Sequence, residues 1–185
     1  FHSSVVGEFM KFISSAEYLC GHNIVSHDFK YLKPFLKKSY KLIDTLYLSP
    51  ILFPERPYHN LVKDDKIISD QLNNPLSDSL KAKQLFEDEF ERFKDLPENI
   101  KRSYYDLLNE NDHFKGFFEY AQYSSNRFSY LFNSKADNIS EILKGLVCSK
   151  ANISRIIEST PTELAYAMAI IRTGDRYSIT PAWVK

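Results

Sequence analysis

The first half of the chain alternates between apolar runs typical of strands and apolar positions at helical spacing. Tyr18–Val25 is a short apolar run with β-branched residues and predicts a buried strand, and Lys41–Leu46 predicts a second strand that leads into a helix. An amphipathic helix is predicted to end at Ser15, and another to begin at Asp28 and to end or kink at Pro34. This alternation favours an α/β fold.

From about residue 75 onwards the pattern is helical only. A long helix is predicted from Leu76 to Phe93, with an apolar side formed by Leu76, Leu80, Leu85, Phe86, Phe90 and Phe93. Five more helices are predicted at Glu98–Asn109, Asp112–Tyr123, Ile139–Val147, Asn152–Ile157 and Thr162–Thr173. We therefore expect an α/β part over 1–95 and an all-α connector over 96–185, so that the chain is predominantly helical overall.

The glycines exclude two large classes of nucleotide-binding protein. There are 5 of them and no two are close, whereas a dinucleotide-binding fingerprint or a P-loop needs clustered glycines so that the backbone can approach phosphate. This stretch therefore carries no motor or kinase chemistry. The chain begins with Phe1 rather than Met, and we expect it to be part of a longer protein.

Charge and cysteine content add two expectations. The formal net charge is zero, but Lys30–Lys41 holds five lysines and no acid, which indicates either a solvated helix face or a local binding surface. Cys20 and Cys148 lie far apart without zinc-site spacing, so we expect reduced, buried thiols in a cytoplasmic protein. No apolar run approaches the roughly 18 residues that span a bilayer.

Two aspartates stand where the predicted elements change. Asp28 follows a predicted strand at the start of a helix, and Asp78 lies in the first turn of the long helix, with Asp44 between them. Carboxylates grouped in this way suit Mg²⁺ or Mn²⁺, and two such ions can hold a phosphodiester during attack by water. The alternative is that each aspartate only caps its helix.

Four short motifs follow one another in the chain: GHN-x4-D-x3-L at Gly21–Leu32, IDTL at Ile43–Leu46, HNL at His59–Leu61, and N-x4-D with LxxxQLF at Asn73–Phe86. Their order, over about residues 5–93, resembles the DnaQ-like, or DEDD, 3′→5′ exonucleases. The resemblance implies a ribonuclease H-like α/β fold in which Asp28 and Asp78 are two of the four carboxylates that bind Mg²⁺ or Mn²⁺. It also implies that Asn23 orients the strand end and belongs to the nucleic-acid-binding residues. A nucleic-acid backbone would then meet the lysines Lys30, Lys33, Lys37 and Lys38.

The chain departs from that family in three places. The family's first motif, Asp-x-Glu on a strand, is absent, and Asn73 stands where a His would act as general base. An amide cannot take a proton from water near neutral pH. His27 replaces the usual aromatic residue beside Asp28, so His27 and His22 remain candidates for the base or for ordinary packing. We therefore expect an incomplete ribonuclease H-like sheet and a 185-residue chain that is inactive by itself.

The end of the chain, Thr162–Val184, resembles the linker region of bacterial RecQ-type DNA helicases that carry a DnaQ-like domain. This resemblance implies a helicase domain downstream as partner, and DNA as substrate, with single-stranded ends processed in repair or recombination. The first alternative is a non-catalytic relic of the nuclease fold that binds nucleic acid or docks the helicase. The second is a helical interaction module, in which an aromatic-rich stretch from Tyr104 to Phe132 either stacks bases or forms the core.

Overall fold

The computed structural model describes residues 5–61, 75–124 and 134–173. It is 60% helix with a small sheet of two parallel strands, which confirms the predominantly helical α/β character. Within those ranges, no helix combines the length and the apolar composition needed to cross a membrane. Asn73, residues 125–133 and residues 174–185, on which several predictions fall, lie outside the described residues.

The elements follow the predicted order. The α/β part contains α1 (Val6–Phe12), β1 (Tyr18–Gly21), α2 (Asp28–Leu32), β2 (Lys41–Asp44), α3 (Thr45–Leu52) and α4 (Pro75–Lys94). A 3-10 helix over Lys33–Phe35 continues α2, since Pro34 removes a backbone donor. The helical part contains α5 (Glu98–Leu108), α6 (Lys115–Tyr120), α7 (Lys135–Leu143), α8 (Ile153–Ser159) and α9 (Pro161–Arg172).

Both strands are shorter than the apolar runs predicted. β1 ends at Gly21 instead of Val25, because Asn23 takes the left-handed conformation at φ 64° and turns the chain out of the sheet. β2 ends at Asp44 instead of Leu46, because Asp44 becomes the N-cap of α3. The strands pair in parallel, from Tyr18 opposite Lys41 to Gly21 opposite Asp44.

A helix covers the outer edge of β2. The Lys41 amide donates to the Glu17 carbonyl at 3.0 Å, so the neighbouring residue, Leu42, directs its N–H and C=O away from β1. Gly116 of α6 lies against this edge so closely that a Cβ there would overlap the Leu42 carbonyl. In the described part of the chain the sheet is thus small, as expected, and α6 lies where another strand could have paired.

One hydrophobic cluster joins the two predicted parts. It contains Ile43, Leu48 and Phe93 from the α/β part together with Tyr104, Phe114, Phe117 and Met168 from the helical part. Two polar contacts reinforce it. The Tyr166 hydroxyl donates to the Tyr47 carbonyl at 3.3 Å, and Arg172 donates to the Tyr104 hydroxyl at 3.2 Å. The predicted parts 1–95 and 96–185 therefore share an apolar core.

Several predictions about burial are corrected. On α4, Phe93 is buried, but Leu76 and Leu80 are 50% and 58% exposed, so the apolar side is shorter than predicted. Cys20 and Cys148 are free but exposed, not buried. The aromatic stretch is mainly core, one of its two interpretations, although Tyr120 is 41% exposed. Its other described rings are buried or packed against the cluster: Tyr104, Tyr105, Phe114, Phe117, Phe118 and Tyr123.

Candidate functional site

The loop after β1 is held in place by a single buried carboxylate. Oδ1 of Asp44 accepts from the amides of Asn23 at 2.8 Å and Leu46 at 3.1 Å, and Oδ2 accepts from the Val25 amide at 3.1 Å. Asp44 is fully buried. Three amides around one carboxylate replace the water lost on burial. Asp44 therefore ties the end of β1 to the end of β2 and to the start of α3.

This tie determines where Asp28 lies. The loop turns back on itself through His27 N–H to Asn23 C=O and Phe29 N–H to Ile24 C=O, both at 2.9 Å. As a result α2 begins at Asp28, just beyond the carboxyl ends of the parallel strands, which is where α/β sheets commonly bind ligands. Asn23 contributes through its backbone, whose left-handed conformation an asparagine tolerates.

The Asp28 side chain is 55% exposed and lies 3.3 Å from Nδ1 of His27, itself 66% exposed. This is a solvated pair of neighbours, and no other polar contact to the Asp28 carboxylate is present among the described residues. His27 is close enough to act on a group bound by Asp28. The arrangement is equally compatible with a simple surface pair.

Asp78 lies in the first turn of α4 and is partly exposed. α4 packs against β1 and α3, which directs its course along the sheet. No contact joins Asp78 to Asp28, and in the described ranges no group of three or more His, Cys, Asp or Glu side chains could hold a metal ion. The residues present therefore do not by themselves fit a two-metal centre, and no hydrolytic step is assigned to them.

The predicted basic segment forms an exposed surface directly after Asp28. Lys30, Lys33, Lys37 and Lys38 are all exposed. None of the four forms an ion pair with an acidic side chain in the described part of the chain, whereas Lys41, the next lysine, pairs with Glu17 at 2.8 Å and Glu119 at 3.1 Å. The four lysines are therefore free to meet an anion, and Lys41 is not.

Two aromatic rings stand between these lysines. Tyr31 is 69% exposed and Phe35 is 52% exposed, and the Tyr31 ring packs edge-on against His27 with centroids 5.8 Å apart. Exposed rings between lysines are typical of surfaces that contact single-stranded nucleic acid, where bases stack and phosphates meet cations. We name residues 30–38 the lysine surface.

Two histidines near Asp44 have structural partners. Nδ1 of His22 lies 3.0 Å from the Thr45 hydroxyl, and burial lowers the pKa of His22 against the opposing effect of Asp44. His113 stacks on Tyr47 with ring centroids 3.7 Å apart and places Nδ1 3.6 Å from Oδ2 of Asp44. His113 was not identified from the sequence, because only the folded chain brings the α5–α6 loop to the strand ends.

A buried carboxyl was not identified from the sequence, and the histidine of the HNL motif is buried as well. Glu89 of α4 is fully buried, and within the described ranges neither of its oxygens has a hydrogen bond. Burial raises the pKa of Glu89 well above its usual value. His59 shares a hydrogen bond with the Ser49 hydroxyl at 2.9 Å. Burial and the nearby Arg56 lower the pKa of His59 to about 4, so the histidine of the HNL motif is neutral and structural.

Comparisons with protein-family models, with curated proteins and with solved structures gave no match.

Proposed function

We propose that this chain is the DNA-binding part of a DnaQ-like, ribonuclease H-like 3′→5′ exonuclease module in a RecQ-type helicase, acting on single-stranded ends in repair or recombination. Support comes from the motif order Gly21–Leu32, Ile43–Leu46 and Asn73–Phe86. It also comes from the parallel pairing of β1 and β2, with Asp28 just beyond their carboxyl ends. In this proposal the chain binds single-stranded DNA and does not cleave it by itself.

The lysine surface is the observation that carries the binding function. Lys30, Lys33, Lys37 and Lys38 are exposed and have no acidic partner in the described ranges. Lys30 follows Asp28 on α2 and Lys33 begins the 3-10 extension, while Lys37 and Lys38 come after that extension. A strand whose phosphates lie along these lysines releases counterions, which supplies most of the affinity and makes it depend on salt.

We expect the variant Lys30→Gln/Lys33→Gln/Lys37→Gln/Lys38→Gln to bind a fluorescein-labelled single-stranded DNA at least about tenfold more weakly at low salt. The dependence of log Kd on log salt should also become shallower, because fewer counterions are released. Fluorescence anisotropy over a series of salt concentrations measures both effects.

A matched control is Lys83→Gln/Lys94→Gln/Lys144→Gln/Lys150→Gln, which removes the same charge from other exposed positions. Three of these lysines are held in local ion pairs with Glu87, Glu91 and Glu141, and such pairs contribute little to stability. An equal loss of affinity in both variants would show unspecific attraction and contradict the proposal.

The second prediction concerns cleavage. Asn73 stands at the position of the general base, and an amide has no basic nitrogen to accept a proton. We expect a 5′-labelled single-stranded DNA to stay intact on incubation with the 185-residue chain and Mg²⁺ or Mn²⁺. Shortening from the 3′ end that disappears in the variants Asp28→Asn and Asp78→Asn would overturn this expectation.

The absence of a basic residue at Asn73 equally favours the second candidate, a nuclease-like relic that binds nucleic acid or docks a helicase. The two candidates make the same prediction for the lysine surface. They differ for the parent protein. Degradation of single strands by the parent, lost when Asp28 is changed to Asn, would exclude the relic.

A further inference from the structure

An open groove of about 550 Å³ lies between α1 and the segment that precedes β2. The Tyr40 hydroxyl donates to the Ile13 carbonyl at 3.3 Å and joins the two walls. One wall is formed by Val6, Gly7, Met10, Lys11 and Ser14, and the other by Phe35, Lys37, Lys38 and Tyr40.

The groove is lined by cations and by no acid. Its three charged residues are Lys11, Lys37 and Lys38. None of them pairs with a carboxylate in the part of the chain that the structure describes, and the neighbouring Glu17 is paired with Lys41 at 2.8 Å outside the groove. Uncompensated like charges around a concave surface attract an anionic occupant.

The aromatic rings of the groove favour an anion that also carries flat apolar groups. Phe35 is 52% exposed, and the Lys38 ammonium lies 4.9 Å from the centroid of the Tyr40 ring. Val6 and Met10 add apolar surface. Single-stranded nucleic acid matches this alternation, because its bases stack on ring faces while its phosphates meet lysines. An acidic peptide or a lipid headgroup would meet the lysines and leave the rings without a matching partner.

The groove lies at the opposite end of the sheet from Asp28. α1 ends shortly before β1 begins, and Tyr40 immediately precedes β2, so the groove is at the amino ends of the two parallel strands. Asp28 and Asp44 follow the carboxyl ends. A DNA strand in the groove therefore extends from the lysine surface to α1, away from the end of the sheet that carries Asp28.

We propose that this groove is a second contact site for single-stranded nucleic acid. It holds a part of the nucleic acid that lies at a distance from the 3′ end. The inference rests on the proposed function, since it takes the chain to bind single strands. The lysine surface runs between the groove and the end of the sheet near Asp28. Its lysines Lys37 and Lys38 line the groove, whereas Lys30 and Lys33 do not.

The test is the variant Lys11→Gln/Phe35→Ala, which changes the groove at two exposed side chains. We expect its Kd for a fluorescein-labelled single-stranded DNA to rise about tenfold, because one stacking ring and one phosphate contact are lost. The control Phe12→Ala/Lys150→Gln changes a phenylalanine that is 60% exposed and an exposed lysine, both outside the groove, and should leave Kd unchanged. A strand containing 5-iodouracil should crosslink on irradiation to the peptide that carries Phe35 or Tyr40.

Each other outcome separates the two proposals. If Lys30→Gln/Lys33→Gln weakens binding while Lys11→Gln alone, which changes the groove outside the lysine surface, does not, the groove proposal is wrong and the proposed function stands. If the unmodified chain fails to bind single-stranded DNA at all, both are wrong. If Lys11→Gln/Phe35→Ala abolishes sedimentation with phosphatidylserine vesicles and leaves DNA binding unchanged, the groove is a membrane contact and the proposal is overturned.

Discussion

Glu89 is a buried acid on α4, the helix that packs against β1 and α3. Its side chain is fully buried, and neither oxygen has a hydrogen bond to any residue that the structure describes. A charged carboxylate in such a place would lose its hydration without compensation, so the neutral acid is favoured. The nearby Arg56 lowers the pKa of Glu89, but by less than burial raises it. The charge of Asp44 raises this pKa further. The residue is therefore protonated over a wider pH range when folded than when unfolded.

This difference predicts how stability depends on pH. Because folding raises the pKa of Glu89, the folded state binds the proton more tightly than the unfolded state. The resulting contribution of Glu89 to the free energy of unfolding is fully present below the pKa of the unfolded state. The contribution is lost as pH rises above that value towards the folded pKa, by up to about 1.4 kcal/mol per pH unit. We expect Glu89→Gln, which cannot ionise, to unfold at higher denaturant concentration than the unmodified chain at pH 8.

At pH 4 the two proteins should be similar in stability. Urea denaturation at several pH values measures the difference. Glu87→Gln is the matched control, because Glu87 lies on the same helix with its side chain 48% exposed and paired with Lys83. Parallel pH profiles for the unmodified chain and Glu89→Gln would contradict a buried neutral acid.

At the scale of elements, the contact between α6 and β2 depends on one missing side chain. Gly116 brings the helix backbone against the Leu42 carbonyl at the outer edge of the strand. An edge strand presents unpaired polar groups to other chains, and α6 covers this one. The ring of Tyr120, at the end of the same helix, packs on Tyr18 of β1 with centroids 5.3 Å apart. The helix thus contacts both strands.

We expect Gly116→Ala to lower the free energy of unfolding by about 3 kcal/mol, because the added methyl group overlaps backbone that cannot move aside as a side chain would. Gly7→Ala in α1 is the control. Among the described residues a Cβ on Gly7 would meet nothing within 4 Å, and alanine favours helix over glycine by about 1 kcal/mol. Thermal and urea unfolding measure both. A Gly116→Ala chain as stable as the unmodified one would refute the close approach.

At the scale of the whole molecule, much of the element order could be predicted because it depends on local signals. Helical periodicity predicts α4 at 76–93 and α5 at 98–109. The structure has these helices at 75–94 and 98–108. The strand ends could not be predicted from periodicity. They depend on Asp44, whose carboxylate accepts hydrogen bonds from the amides of Asn23 and Val25, which are 21 and 19 residues earlier in the chain.

The candidate site was predictable only in part for the same reason. The position of Asp28 at a helix start follows from adjacent residues, and the exposed lysines follow from a run of like charge. The burial of Glu89 and the approach of His113 to Asp44 come from packing between segments far apart in the chain. An acid on the EDEFE run, Glu87–Glu91, has no local feature that separates it from its exposed neighbours.

The tie at Asp44 has a consequence for the order of folding. Two backbone N–H groups of the loop that leads to Asp28 donate hydrogen bonds to Asp44 at the end of β2. Asp44 is also the N-cap of α3. The loop therefore lacks its anchor until the strands have paired and the third helix has begun. We expect the loop in front of Asp28 to reach its native geometry only after β2 is in place, and a chain with a loosened β2 to lose its candidate site before its helices.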